Sequence, residues 1–445
     1  MTLLSWKMST YTEHQNFITY STNNCCPICG STNFTIGEER TEIAQSIPMK
    51  AEEIYQQSLI KFTPALCEHC GMSFNVKGLS DEARNNVCLN YQFIRPSQSV
   101  GAKNYLTYID EVKKHLTGKD NKVLEIGGYD GFLLRELSKE GYQDLTLIDP
   151  SAKVDDIDEQ VLPNIKTTVG FFPGDDRVYK QRLENTSSEC QLYDVVGAKD
   201  VVQMVPDLLS FFEGLNAVLK VGGIAVCCSV PLNAMHALQQ SHMGFNAYHY
   251  LATQYGFELL ENYKKPENSY IVYVLKKAID LKSSTEQEIA AFRQEHSLSK
   301  ESFEHYQNIA RQQLNDKSAI STKASQKLSK IFNAAKDIVI YGTGFYTFNL
   351  LDCLDKSYFS LANQADKAKL TLVNSTEANE GYLYMLPDSS TITVHYANKH
   401  LANSNIEVLV LGVQNPNFKD EILANLQAIN CNCQQIIYLP DLEQD

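Results

Sequence analysis

The sequence predicts an α/β protein: a small N-terminal metal-binding lobe, a central doubly wound Rossmann-like domain, a helical linker and a C-terminal Rossmann-like α/β domain. Three features predict it. Cysteines pair in two C-x-x-C-G units, CPICG at 26–30 and CEHCG at 67–71. From residue 122 onward, apolar runs of strand length alternate with helix-length amphipathic runs, the pattern of a parallel sheet with crossover helices. The stretch DIVIYGTG at 337–344 then opens a second alternation of the same kind.

Composition limits the function classes. A chain of 445 residues with 43% hydrophobic and 10% aromatic content has material for roughly two to four packed domains. The formal charge of -14 disfavours a nucleic-acid or anionic-membrane partner, since either demands a basic stripe. No run of eighteen apolar residues occurs, and the opening MTLLSWKMSTYTEH lacks an apolar core and a cleavage site, so a cytoplasmic location is expected. Twelve cysteines in that setting point to metal binding rather than disulfides.

Taken in order, residues 1–24 are polar without a period and are expected to form a flexible lead. Residues 25–90 make the metal lobe. Each C-x-x-C-G turn aims two thiolates at one ion, and two turns complete a tetrahedral set, so Cys26, Cys29, Cys67 and Cys70 are the predicted ligands of a structural zinc. Cys25 is a spare and His69 a less favoured substitute. Between the knuckles, 49–60 reads as helix and 36–40 as a ribbon strand.

Residues 91–279 carry the central domain, opening with a helix at 105–115. Strands are expected at 122–127, 145–150, 165–172, 193–199, 223–230 and 269–276, the last with the alternation of an edge strand. Helices fall at 132–140, 176–184, 207–219 and 247–256. Residues 280–336 are a charged linker of two or three helices. Residues 337–445 form the last domain, with strands at 337–341, 370–374, 391–395, 406–412 and 435–439 and helices at 345–354 and 419–429. A lone G-x-G is weak evidence for a dinucleotide there, because Thr347 replaces the third glycine and Asn374 stands where an acid belongs.

The central glycine turn, VLEIGGYDGFLL at 123–134, is where a ligand is expected. A phosphate loop would follow its glycines with Lys and Ser or Thr, and a pyrophosphate fingerprint would keep acids away. Here Glu125 and Asp130 flank Gly127, Gly128 and Gly131, so an anion is repelled and a cationic, hydroxyl-rich ligand favoured. S-adenosylmethionine has a sulfonium, an ammonium and a ribose but no phosphate. Asp149, closing the next strand run, suits the ribose diol. Ala198 and Asp200, at the end of a further strand, fall on the same rim. These eight residues are the predicted cofactor site.

The order of parts resembles the three-domain sugar C-methyltransferases, which act on nucleotide-linked keto-deoxysugars. CPICG and ALCEHCG look like that family's zinc knuckles, VLEIGGYDGFLL like its glycine turn, IDPS like its acid-Pro-Ser step and AKDVVQMVPD like the strand that follows. YQFIRPSQS looks like its Tyr-x-Tyr segment, with Tyr91 matching and Phe93 departing. IYGTG, VNSTEANEG and VLVLGVQNPNFKDEI look like its third lobe, which the resemblance implies helps to hold a nucleotide-sugar. The family's Tyr-His-Glu-His cluster is replaced by His236, Ala237, Leu238 and Gln239.

Carbon methylation needs a base and a donor for the resulting enolate. Tyr91 is the candidate donor, and His242 or His236 the candidate base. Two other readings stay open: an O- or N-methyltransferase of the same architecture acting on another small molecule, and a non-catalytic binding or scaffold protein that keeps the zinc lobe, with or without the cofactor.

Overall fold

The computed structural model describes residues 18–444 except 46, 90–100, 153–163, 185–191, 231, 233–234, 236, 240, 265–269, 316–319, 321, 355–368 and 414–415. Two predicted catalytic residues, Tyr91 and His236, lie outside the described residues.

An antiparallel sheet comes first. It is built from β1 (Tyr20–Thr22), β2 (Phe34–Ile36), β3 (Arg40–Ile43), β4 (Leu59–Cys67) and β5 (Met72–Leu79). β4 and β5 form a hairpin whose tip is the second C-x-x-C-G. The helix expected at 49–60 is absent: a single 3-10 turn, Ile54–Gln57, precedes β4. Tertiary contacts decide this, since Gln57 is fully buried and bridges Ile47 O and the Met385 N–H of the last domain. The ribbon strand expected at 36–40 is split, β2 ending at Ile36 and β3 starting at Arg40.

The central sheet contains β6 (Lys122–Ile126), β7 (Asp144–Ile148), β8 (Ile165–Thr168), β9 (Tyr193–Lys199), β10 (Leu219–Ser229), β12 (Phe257–Lys264) and β13 (Ile271–Lys277). Its spatial order is β12-β13-β10-β9-β6-β7-β8. Strands β10, β9, β6, β7 and β8 run parallel, and β13 is antiparallel to both its neighbours. β6 and β9 lie side by side although β7 and β8 intervene in sequence, so their carboxyl ends form a topological switch point, the crevice where open α/β sheets take ligands. β13 is not the expected edge strand. β12, which the sequence left unassigned, covers it, and the buried run Val272–Leu275 fits an interior position.

β11 (Ser241–Met243) leaves the central domain and pairs antiparallel with β5. Cys26, Cys67 and Cys70 accordingly share one apolar core with Phe211, Tyr248 and Leu251 of the central domain. Three helices follow the sheet, Glu286–Glu295, Lys300–Asn315 and Thr322–Ala334. The second is a clasp rather than a spacer: Gln307 Nε2 donates to Cys67 O at 3.0 Å, and Arg311 pairs with Glu68.

The last sheet contains β14 (Asp337–Tyr341), β15 (Lys369–Asn374), β16 (Leu383–Met385), β17 (Thr391–Tyr396), β18 (Asn405–Leu411) and β19 (Asn432–Tyr438), in the order β16-β17-β15-β14-β18-β19. All are parallel except β16. Among the described residues no helix is long and apolar enough to cross a membrane.

Candidate functional site

The four predicted ligand cysteines converge. Cys26 Sγ lies 3.6 Å from Cys70 Sγ and Cys29 Sγ 3.5 Å from Cys67 Sγ, and all four sulfurs fall within 4.8 Å of one another. A tetrahedral ion with bonds of about 2.3 Å to sulfur requires sulfurs roughly 3.8 Å apart. Gly71 is needed here twice over, because its φ is +73° and a Cβ would stand 2.4 Å from Asn246 Cβ. Cys25 is exposed and outside the set.

At the switch point, β6 ends in the predicted glycine turn. Gly127 has φ +71°, and its N–H donates to Ile148 O of β7 at 2.8 Å. A Cβ on Gly128 would lie 2.4 Å from Glu125 Cδ, so the backbone sits directly on that carboxyl group. Glu125 is 1% exposed, and neither carboxylate oxygen has a hydrogen-bond partner. Burial first, then the neighbouring Asp130 and Asp149, push its pKa up to about 8; the Leu134 N–H lowers it slightly without reaching hydrogen-bond geometry. A cation laid over the turn would answer an acid left in this state.

The other two acids are fixed. Asp130 is buried and accepts from Arg135 Nη2 at 3.0 Å. Asp149 accepts from the Tyr129 N–H at 3.0 Å through Oδ2 and from the Ser151 N–H at 2.6 Å through Oδ1. Each oxygen keeps a lone pair, so the carboxylate is preset to receive two adjacent hydroxyls. Burial raises its pKa against those two amide bonds. Gly131, with φ +64°, precedes the helix Phe132–Lys139.

The far wall is the end of β9. Ala198 is buried at the β6 boundary, paired with Ile126. Asp200 adopts φ +60°, and a Cβ on Gly127 would meet Val201 Cγ2 at 2.2 Å, which puts the two turns in contact. The left-handed turn brings the Asp200 carboxylate back onto Lys199, whose Nζ lies 2.5 Å from Oδ2. That ammonium is buried over the rings of Tyr270 (3.8 Å) and Tyr105 (4.9 Å). Burial opposes its charge, yet Asp200 and Tyr270 hold it above the usual lysine range. Sequence reasoning missed Lys199, Tyr105 and Tyr270; the only signal was a lysine closing the apolar run YDVVGA.

His242, one of the two candidate bases, lies within a strand. It sits in β11 opposite Ser73, 2% exposed, inside the first sheet. In the last domain the third-glycine position is filled: Thr347 is fully buried and its Oγ1 donates to Gly342 O at 3.0 Å, with Gly412 O at 3.4 Å.

Residues 102–263 match a family model described as a methyltransferase domain. No curated protein matches the sequence. Among solved structures, a Burkholderia thailandensis 1,6-didemethyltoxoflavin-N1-methyltransferase with bound S-adenosylhomocysteine is similar at 14% identity and a TM-score of 0.34, covering 48% of this chain and 99% of that one. The N-methyltransferase NodS from Bradyrhizobium japonicum WM9, in complex with S-adenosylhomocysteine, is similar at 12% identity and a TM-score of 0.31, covering 41% and 90%. The matched segment holds the whole cradle, from Glu125 to Asp200.

Proposed function

We propose that this chain, an S-adenosylmethionine-dependent methyltransferase through its domain at 102–263, methylates a small molecule, and that the leading acceptor is a carbon of a nucleotide-linked keto-deoxysugar or a related compound. The observation that carries the donor assignment is the buried, hydrogen-bond-free Glu125 beneath the bare Gly128 backbone. In this reading Asp149 holds the ribose hydroxyls, and Glu125 with Asp130 supplies the negative potential that a sulfonium and an ammonium require. The bound donor supplies a methyl carbon activated towards in-line displacement. The chain must hold the acceptor in line at about 3 Å and exclude water. Ala198 and Asp200 close the crevice on the β9 side.

The acceptor class rests on the order of the lobes and on the motif resemblances, with the four cysteines as a closed structural zinc site that leaves no open position for water. A second reading, transfer to oxygen or nitrogen, is favoured by one feature. The proton acceptor at the β9 rim is a carboxylate held by an ammonium, Asp200 with Lys199. A carboxylate can take the proton of a hydroxyl or amine that acidifies as it is methylated, whereas a carbon acid needs a stronger base.

Calorimetry with S-adenosylhomocysteine tests the donor site, and no heat at millimolar ligand would leave only a scaffold. Enzyme-dependent deuterium exchange at a ring carbon of a candidate keto-sugar separates the acceptors: exchange supports carbon methylation, and its absence alongside normal donor binding favours oxygen or nitrogen.

A further inference from the structure

Around the donor crevice stand the carboxylates Glu125, Asp130, Asp149 and Asp200 and the cations Arg135 and Lys199. Arg135 lies one turn into the helix after Gly131 and is committed to Asp130. Lys199 closes β9, and the pairing of Ser229 with Ile271 sets Tyr270 beside it at the carboxyl end of β10. Tyr105 leans edge-on against Phe132, the first residue after Gly131, with ring centroids 5.9 Å apart. The two rings over which the Lys199 ammonium lies therefore join the end of β9 to the glycine turn.

The Lys199 side chain is 5% exposed and that of Asp200 is 38% exposed. Water screens the carboxylate far more than the ammonium, so a group arriving from inside the crevice meets a net positive field at this point. An ammonium has three N–H donors. Asp200 and the Tyr270 hydroxyl account for two of them, and the third is open to a ligand.

The strand order supplies the direction of the ligand. β7, β6 and β9 are neighbours in that order, and two strand spacings of about 4.8 Å separate the end of β7 from the end of β9 by roughly 10 Å. The donor runs from a ribose hydroxyl through sulfur to its carboxyl carbon over eight bonds, roughly 10 Å when extended at about 1.2 Å per bond. With the ribose on Asp149 and the sulfonium above Gly128, the amino-acid end reaches Lys199. Glu125 and Asp130 repel the carboxylate at that end, so a cation has to hold it. We propose that Lys199 binds the carboxylate of the donor's amino-acid end, with Tyr105 and Tyr270 positioning the ammonium. The inference rests on the donor reading of the cradle and deepens it by assigning the donor's one anionic group.

The test uses the full chain and calorimetry with two ligands, S-adenosylhomocysteine and its decarboxylated analogue, which keeps the nucleoside, the sulfur and the ammonium. The unmodified chain should bind S-adenosylhomocysteine at least about tenfold more tightly than the analogue, the fold-change of one charge-assisted contact. Lys199→Met should erase that preference by weakening S-adenosylhomocysteine alone, and its unchanged binding of the analogue shows that the cradle is folded. Lys199→Arg, which keeps the charge, should retain most of the preference. Equal affinity of the unmodified chain for the two ligands overturns the proposal without any variant. So does a preference that survives Lys199→Met, which would place the carboxylate on another group. So does a Lys199→Met chain that melts like the parent and weakens both ligands equally. Failure of the unmodified chain to bind either ligand counts instead against the donor cradle itself, on which the proposal stands.

Discussion

Replacing Glu125 by Gln should make the protein more stable and a poorer binder of its donor. The unfolded carboxyl titrates near the ordinary value of 4.5, while the folded one titrates at about 8. Between those values the folded state keeps a proton that the unfolded chain has released, so folding stability falls as pH rises, by about 1.36 kcal/mol per pH unit. The stabilising proton is fully present in both states below pH 4.5 and its benefit is lost as pH passes 8. At pH 7 the accumulated penalty approaches roughly 3 kcal/mol, and a neutral isostere escapes it apart from about 1 kcal/mol for an amide with unmet donors. The variant should therefore gain about 2 kcal/mol over the parent at pH 7, about 3.5 kcal/mol at pH 8.5 and almost nothing at pH 5, read by urea denaturation at the three pH values.

Donor affinity should move the other way. A cation seated over Gly128 lowers the pKa of Glu125, so binding near pH 7 expels a proton. Calorimetry of S-adenosylmethionine in buffers of different ionisation enthalpy counts it, and S-adenosylhomocysteine, which keeps the ammonium and lacks the sulfonium, divides the effect between the two charges. The Gln variant should release no such proton and bind about tenfold more weakly, the loss of one charge-assisted contact. A stability gap that does not change with pH, or unaltered affinity, would refute the view that this acid is held in waiting for a cation.

Other outcomes follow from the same geometry. Asp149→Ala should weaken S-adenosylhomocysteine binding by about 1–3 kcal/mol, measured by calorimetry, and should also release the Tyr129 and Ser151 amides that the carboxylate now holds. Removing metal with a chelator, or Cys67→Ser, should unfold the first sheet and, because β5 carries β11, raise hydrogen exchange at Ser241–Met243 while β6 to β8 stay protected. Gly71→Ala should destabilise by about 2 kcal/mol or more, combining a left-handed φ with the 2.4 Å approach to Asn246; a thermal melt within a degree of the parent would contradict that packing. Glu42, buried and pushed up to about 8 chiefly by burial, should add a second loss of stability between pH 4.5 and 8 that Glu42→Gln removes.

What the sequence disclosed was local. Glu125, Gly127, Gly128 and Asp149 were legible because each sits at a fixed chain distance from a strand end, and a strand-turn-helix unit needs nothing distant to define it. The cysteine set was legible for a similar reason, since each knuckle is a turn with its own glycine. β12 was not, because FELLENYK carries an edge strand's mixed alternation and only the position of β13 shows which of the two is covered. β11 is three residues long and is a strand only by virtue of β5, some 170 residues earlier. Lys199 is the clearest case: a charged side chain ends an apolar run, and the left-handed turn at Asp200 that neutralises it cannot be read from the letters AKD.

The non-local features share one consequence. β11, the Asn75–Gln239 clip and the Gly71–Asn246 contact all tie the cysteine lobe to the central domain, and Gln307 ties the linker to Cys67. Asn246 itself donates to Phe303 O at 2.9 Å, so one amide contacts the knuckle, belongs to a central-domain helix and binds the linker. A four-cysteine cluster joined to the central domain on three sides does not need to touch substrate to matter. It sets where β5 lies, β5 sets where β11 lies, and β11 packs against the turn that follows Asp200 on the rim of the donor crevice. Structural zinc in this arrangement would shape the acceptor side of the crevice through packed backbone alone, which is why metal loss should register first at β11 and only later in the parallel strands that carry the cradle.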